Sequence, residues 1–104
     1  MKQTDQKMEN YKVVVLPFSD LSPGLADNLV ARINAAAGRE IAVKIEGGIK
    51  EMLWRADQAD VGTVIFYGAK EQSLGKVTVR DMAAERQDGM QIDELVGYIC
   101  SVYK

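Results

Sequence analysis

The sequence is restricted first by the residues that it lacks. Histidine is absent, and cysteine occurs once among the 104 residues, as Cys100. A zinc site built from cysteine and histidine is therefore excluded, as are an internal disulfide and any catalytic triad that needs an imidazole base. Cys100 lies in an apolar helical pattern, where a free thiol is usually an inert part of the core. We expect neither a catalytic residue nor a metal ligand in this chain.

Long apolar runs and a strong net charge are also absent. No run approaches the roughly 20 apolar residues that span a bilayer, and residues 1–10 are polar and charged, unlike a signal peptide. We therefore expect a cytoplasmic location and no membrane partner. The net charge of −2 argues against a generic nucleic-acid binder, whose domain is usually basic.

The charges are unevenly distributed along the chain. Residues 41–80 carry six basic and five acidic side chains, whereas residues 81–104 carry two basic and five acidic ones. A small positive face is possible in the first segment, but a broad electrostatic footprint is not. If the domain binds RNA, it does so through a small, specific contact or within a larger protein.

The remaining composition predicts one folded domain. Residues 1–10 have no periodicity and are predicted to be a disordered leader or linker. Residues 11–104 form the α/β domain, since an apolar fraction of 47% is ordinary for a globular protein.

The apolar pattern predicts alternating strands and helices. Val13–Leu16 is a continuous apolar run, typical of a strand buried on both faces. After that strand, the pattern predicts a helix that is capped by Ser22, has Pro23 at its first position and is ended by Gly38. A strand over 41–45 and a helix over 49–59 follow. The remaining elements are strands over 62–67 and 76–82, a short edge strand over 90–92 and a helix capped by Asp93.

The connections then set the sheet topology. Two strand–helix–strand crossovers make the first three strands parallel, and a short loop makes the fourth antiparallel to the third. The predicted fold class is therefore α/β: a three-layer α/β/α sandwich with a five-stranded mixed sheet and three main helices.

Three polar residues near the third and fourth strands are the best candidates for a site. Lys70 and Glu71 are predicted in the loop after strand three, and Arg80 near the end of strand four in an exposed Arg-Asp pair. They are either solvated surface charges worth little, or a donor and acceptor set for RNA bases, which guanidinium and carboxylate groups bind well. Trp54 is predicted to pack in the core, with an exposed stacking role as the alternative.

Several landmarks in order resemble a known family. The resemblance is carried by Val13–Pro17, Ala26–Ala37, Arg55-Ala56-Asp57 followed by Val61-Gly62, Lys70-Glu71, Gly75–Met82 and Asp93-Glu94-Leu95. Together they resemble the anticodon-binding domain at the C-terminus of class II aminoacyl-tRNA synthetases. The histidine type is most similar, with the threonine, proline and glycine types close.

The resemblance implies a function and a set of contacts. It implies recognition of the tRNA anticodon loop, without catalysis, beside the catalytic domain of a histidyl-type synthetase. ATP and the amino acid would bind that other domain, so no cofactor is expected here. Glu71 and Arg80 match residues that contact anticodon bases in threonine-type members, and Lys50, Lys70 and Lys76 are weaker backbone-contact candidates.

A second hypothesis uses the same fold without RNA. A free-standing relative could act as a protein-interaction or dimerisation module, which the acidic C-terminal quarter favours. A homodimer is therefore a possible partner state.

Overall fold

The computed structural model describes residues 11–103, which form a five-stranded sheet between helices. The strands and helices are β1 (Val13–Pro17), α1 (Leu25–Ala37), β2 (Ala42–Lys44), α2 (Ile49–Gln58), β3 (Thr63–Tyr67), α3 (Ala69–Leu74), β4 (Lys76–Asp81), β5 (Arg86–Gln91) and α4 (Ile92–Val102). No helix in this part of the chain is long and apolar enough to cross a membrane.

The sheet confirms the predicted topology. Its strand order is β2-β1-β3-β4-β5, with β1 parallel to both β2 and β3. Strand β4 runs antiparallel to β3, and β5 antiparallel to β4. Because β1 and β3 lie inside the sheet and are covered on both faces, all four residues Val13–Leu16 and all five residues of β3 are buried.

Helices cover both faces of the sheet, as expected for three layers. Helices α1 and α4 bury Leu29, Ile33 and Leu95 against one face. Helix α2 buries Met52 and Ala56 against the other. The three main helices of the prediction are therefore confirmed, and α3 is an additional short one.

Several predicted element ends are wrong. Helix α1 begins at Leu25 rather than Pro23, because its N-cap is Gly24 in a left-handed conformation (φ 85°). Ser22 instead donates its backbone N–H to Gln72. Gly38 ends α1 as predicted, at φ 75°.

The C-terminal elements also begin earlier than their patterns indicate. Strand β5 begins at Arg86 rather than at residue 90, because it pairs with β4 over its whole length. Helix α4 begins at Ile92, and its cap is Gln91 rather than Asp93. Asp93 lies in the first turn and forms an ion pair with Arg32 at 2.9 Å.

Trp54 does not pack in the core, contrary to the prediction. Its side chain is 65% exposed. On a helix with 3.6 residues per turn, position 54 lies roughly opposite the buried stripe formed by Met52 and Ala56. Trp54 is exposed because the helical period places it on the solvent side of α2, although large aromatic residues are usually buried.

Candidate nucleic-acid interface

Helix α2 covers only part of its face of the sheet. The buried residues of this layer come from α2, β1, β2, β3 and the turn before β3, and none comes from β4 or β5. The uncovered part is a solvent-facing groove, here called the α2-side groove. It is lined by Phe18, Ile49, Leu53, Phe66, Glu71, Thr78 and Gln87.

The groove is small. Its volume is about 270 Å³, just below the range of roughly 300–1,000 Å³ of pockets that enclose small ligands. It therefore suits contact with one flat group of an extended ligand better than enclosure of a whole small molecule.

Strand pairing places the polar groups of the groove. In β4, Val77 and Val79 are buried on the α1–α4 side, so the alternating residues Lys76, Thr78 and Arg80 lie on the α2 side. Thr78 is paired with Phe66 on β3. Arg80 is paired with Gln87 on β5 and with Val64 on β3, which brings it next to the groove through Gln87.

Two phenylalanines form the apolar base of the groove. The rings of Phe18 and Phe66 are stacked, with centroids 6.3 Å apart and an angle of 8° between their planes. Ile49 and Leu53, one turn apart on α2, add an apolar wall, and Ile49 is 39% exposed.

Glu71 lies on a helix, not in the predicted loop. Residues 69–74 form α3, which follows β3 directly and ends at Gly75 in a left-handed conformation (φ 68°). The Glu71 side chain is half-buried and lines the groove, whereas Lys70 is exposed on the same helix.

Arg80 is not the exposed residue that the sequence predicts. It is half-buried, and its Nε is buried without a hydrogen-bond partner among the described residues. Buried donors are almost always paired in folded proteins. Because no acceptor among residues 11–103 pairs with it, Arg80 is a candidate for a hydrogen bond to a bound ligand.

The three candidate lysines lie around the groove but do not line it. Lys50 follows Ile49 on α2, Lys70 precedes Glu71 on α3, and Lys76 lies two residues before Thr78 on the same face of β4. All three are exposed, and none forms an ion pair within residues 11–103.

A second cleft, near the C-terminal ends of β1 and β2, is less suited to a polyanion. Its lysine, Lys44, forms ion pairs with Asp27 at 3.2 Å and Glu46 at 3.3 Å. The hydrogen bond to Asp27 raises the pKa of Lys44 despite its partial burial. The cation of this cleft is thus already neutralised.

The sequence interpretation missed most of the groove. Thr78 and Gln87 are polar residues on adjacent strands, and only the strand register shows that they share a face. In β4, the alternation of Lys76, Thr78 and Arg80 with two valines indicates that these three residues share one face of the sheet. No comparable signal marks Gln87. The part of the chain covered by the structure assembles no group of three or more potential metal-ligating side chains.

Comparison with known proteins identifies the family. The model of the anticodon binding domain family matches residues 12–101, which is most of the chain. This chain belongs to the anticodon binding domain family. The resemblance seen in the sequence, to the anticodon-binding domain of class II aminoacyl-tRNA synthetases, is thereby confirmed. No curated relative matches the domain in sequence.

Solved structures share the fold of this anticodon-binding domain. The RNA binding domain of threonyl-tRNA synthetase from Cryptosporidium parvum matches 88% of the chain with a TM-score of 0.72 and 17% identity. Histidyl-tRNA synthetase from Staphylococcus aureus matches 88% with a TM-score of 0.72 and 23% identity. That from Nostoc matches 90% with a TM-score of 0.69 and 16% identity. The chain spans 23–24% of the length of these three proteins.

Proposed function

We propose that this domain binds the anticodon loop of a tRNA in the α2-side groove. The observation that carries the proposal is the buried Nε of Arg80 beside the groove, which has no partner among residues 11–103, in a chain that belongs to the anticodon binding domain family. The guanidinium would donate to a base or phosphate oxygen, a role for which residues 11–103 supply no competing acceptor to its Nε.

The groove has the groups that read an unpaired base. Glu71 accepts hydrogen bonds from base amino groups, Gln87 both donates and accepts, and Arg80 donates in a fixed fork. Bases in RNA loops expose their edges and faces to such groups. The apolar base formed by Phe18 and Phe66 suits the flat face of one base.

The exposed lysines would contribute the electrostatic part of binding. Lys50, Lys70 and Lys76 are exposed around the groove. Each phosphate that a lysine neutralises steepens the slope of log affinity against log salt concentration by about one. Three lysines therefore predict a shallow salt dependence, consistent with a domain of net charge −2.

We further propose that the domain acts beside the catalytic domain of a histidine-type synthetase in the cytoplasm and catalyses no step itself. The histidine type is proposed from the sequence landmarks. ATP and the amino acid would bind the catalytic domain, so the domain itself needs no cofactor.

The test is a salt-titrated binding assay with fluorescent anticodon stem-loops. The stem-loop of a histidine tRNA is compared with unrelated stem-loops, using the full chain, Arg80→Ala and the control Arg32→Ala. Arg32 lies on α1, on the opposite side of the sheet, where its loss removes only an exposed ion pair.

Arg80→Ala is expected to weaken binding by about 1–3 kcal/mol, the scale of one bidentate base contact, and Arg32→Ala to leave it unchanged. Preference for the stem-loop of another tRNA would change the proposed amino-acid type of the synthetase and leave the proposed binding site unchanged. Equal binding by the two variants would contradict the proposed site. A salt-insensitive dimer that binds no RNA would favour the interaction-module hypothesis instead.

A further inference from the structure

Helix α3, which carries Glu71, cannot hold its own position. It has six residues and none of them is fully buried, so burial against the sheet contributes little to fixing it. Helices this short are unstable unless other parts of the fold hold them. What positions Glu71 must therefore come from the ends of α3 and its contacts with neighbouring loops.

The N-cap of α3 has no side chain to satisfy the free amides of the helix. The cap is Gly68, and a Cβ at this position would overlap the ring of Phe18. The residues that usually cap helices, serine, threonine, aspartate and asparagine, are therefore excluded at position 68 by the same ring that forms the base of the groove.

Asp20 supplies the missing cap from a distant part of the chain. It lies in the loop between β1 and α1, and its Oδ1 accepts the backbone N–H of Ala69, the first residue of α3, at 3.1 Å. A second bond joins the same loop to α3, since the Ser22 N–H donates to Gln72 Oε1 at 3.2 Å. The two bonds lie on either side of Glu71 in the sequence of α3.

The carboxylates of Asp20 and Glu71 both lie close to Gly68, at the N-terminal end of α3. A Cβ on Gly68 would lie 3.3 Å from Asp20 Oδ1 and 3.0 Å from Glu71 Oε1. Glu71 therefore extends from the helix end that Asp20 holds, and a shift of that end would displace its carboxylate from the groove.

We propose that Asp20 is a positioning residue for RNA recognition: it caps α3 and thereby holds the Glu71 carboxylate in the α2-side groove. This inference rests on the proposed function, because the ligand of Glu71 is the RNA of that proposal. Asp20 itself does not line the groove, so its effect is transmitted through α3.

The test compares the binding of the preferred stem-loop by Asp20→Ala, Asp20→Asn, Glu71→Ala and the double variant Asp20→Ala/Glu71→Ala. Asp20→Ala is expected to lose about fivefold in affinity, the scale of one capping bond. Asp20→Asn is expected to bind within about twofold of the wild type, because its amide oxygen can still accept the Ala69 N–H. The double variant should bind no more weakly than Glu71→Ala, since Asp20 acts only through Glu71.

A further double variant separates positioning from a general loss of structure. Asp20→Ala/Arg80→Ala should show the sum of the two single losses, because Arg80 is held by β4 and not by α3. Amide hydrogen exchange at Ala69, without RNA, should be faster in Asp20→Ala than in Asp20→Asn.

Each outcome distinguishes the inference from the function on which it rests. Wild-type affinity in Asp20→Ala, with binding impaired in Glu71→Ala, would overturn the positioning role and leave the proposed function intact. Additive losses in the Asp20→Ala/Glu71→Ala pair would also overturn it. Absence of binding by the wild type to every stem-loop would overturn the proposed function, and with it the role of Asp20 in recognition.

Discussion

Replacing Arg80 by methionine should separate the stability of this domain from its binding of RNA. The Nε of Arg80 is a buried donor without an acceptor among residues 11–103. Methionine removes this donor and keeps an unbranched apolar side chain beside Val64, its partner on β3. The substitution should therefore leave the fold at least as stable as before, while removing the proposed contact to a base.

The expected size follows from the burial of Arg80. A buried, unsatisfied polar group costs about 1–3 kcal/mol, and we take about 1 kcal/mol because the Arg80 side chain is only half-buried. In a chain of this length, a gain of that size raises the Tm by roughly 4–8 °C. Loss of a bidentate base contact should at the same time weaken RNA binding by about 1–3 kcal/mol.

The assay is thermal unfolding followed by far-UV circular dichroism, paired with stem-loop binding on the same samples. Arg32→Met on α1 is the matched control, with both properties expected to change little because its ion pair is exposed. A lower Tm together with unchanged binding in Arg80→Met would show that Arg80 supports the fold rather than recognises RNA.

Three further predictions concern the fold. Asn34→Ala should destabilise the domain by about 2 kcal/mol in urea unfolding. Asn34 Oδ1 accepts the N–H groups of Ile41 and Ala42, and its Nδ2 donates to the Ala42 carbonyl, so the substitution removes three hydrogen bonds. An unchanged urea midpoint would contradict this prediction. Burial raises the pKa of Tyr103, whose hydroxyl bonds to Thr63. The folded state therefore keeps this proton longer than the unfolded chain, so stability is full below pH 10 and falls as the pH rises above it. Between pH 9 and 11, Tyr103→Phe should therefore lose less of its free energy of unfolding than the wild type. Lys44 contributes equally to the pH dependence of both proteins. Equal losses would show that Tyr103 is not the group responsible. Trp54→Ala should change stability by less than about 0.5 kcal/mol, and the fluorescence of this single tryptophan should be quenched readily by acrylamide; a large loss or a protected fluorophore would show that it packs.

The centre of the sheet could be predicted from the sequence because burial there is complete. The continuous apolar runs of β1 and β3 occur where strands are covered on both faces. Strand β5 could not be bounded in this way, since five of its six residues are exposed. It is held by backbone pairing with β4, which leaves no apolar pattern along residues 86–91.

Helix α3 was unpredictable for a related reason. A helix with no buried residue has no apolar period, and its cap comes from Asp20, far away in the sequence. Glu71 and Arg80 are candidates from their residue types alone, and the family resemblance adds their matched contacts to anticodon bases. Their placement beside Gln87 depends on a strand register that the sequence does not encode in any local pattern.

RNA binding in the α2-side groove is tested by a residue-by-residue map of amide chemical shifts on ¹⁵N-labelled protein titrated with the preferred stem-loop. We expect shifts concentrated on the α2-side groove, at Glu71, Thr78 and Gln87, with α1 and α4 unaffected. Shifts concentrated on the α1–α4 side would contradict this expectation, as would no change at about 100 μM protein, a concentration in the range of weak non-specific affinity.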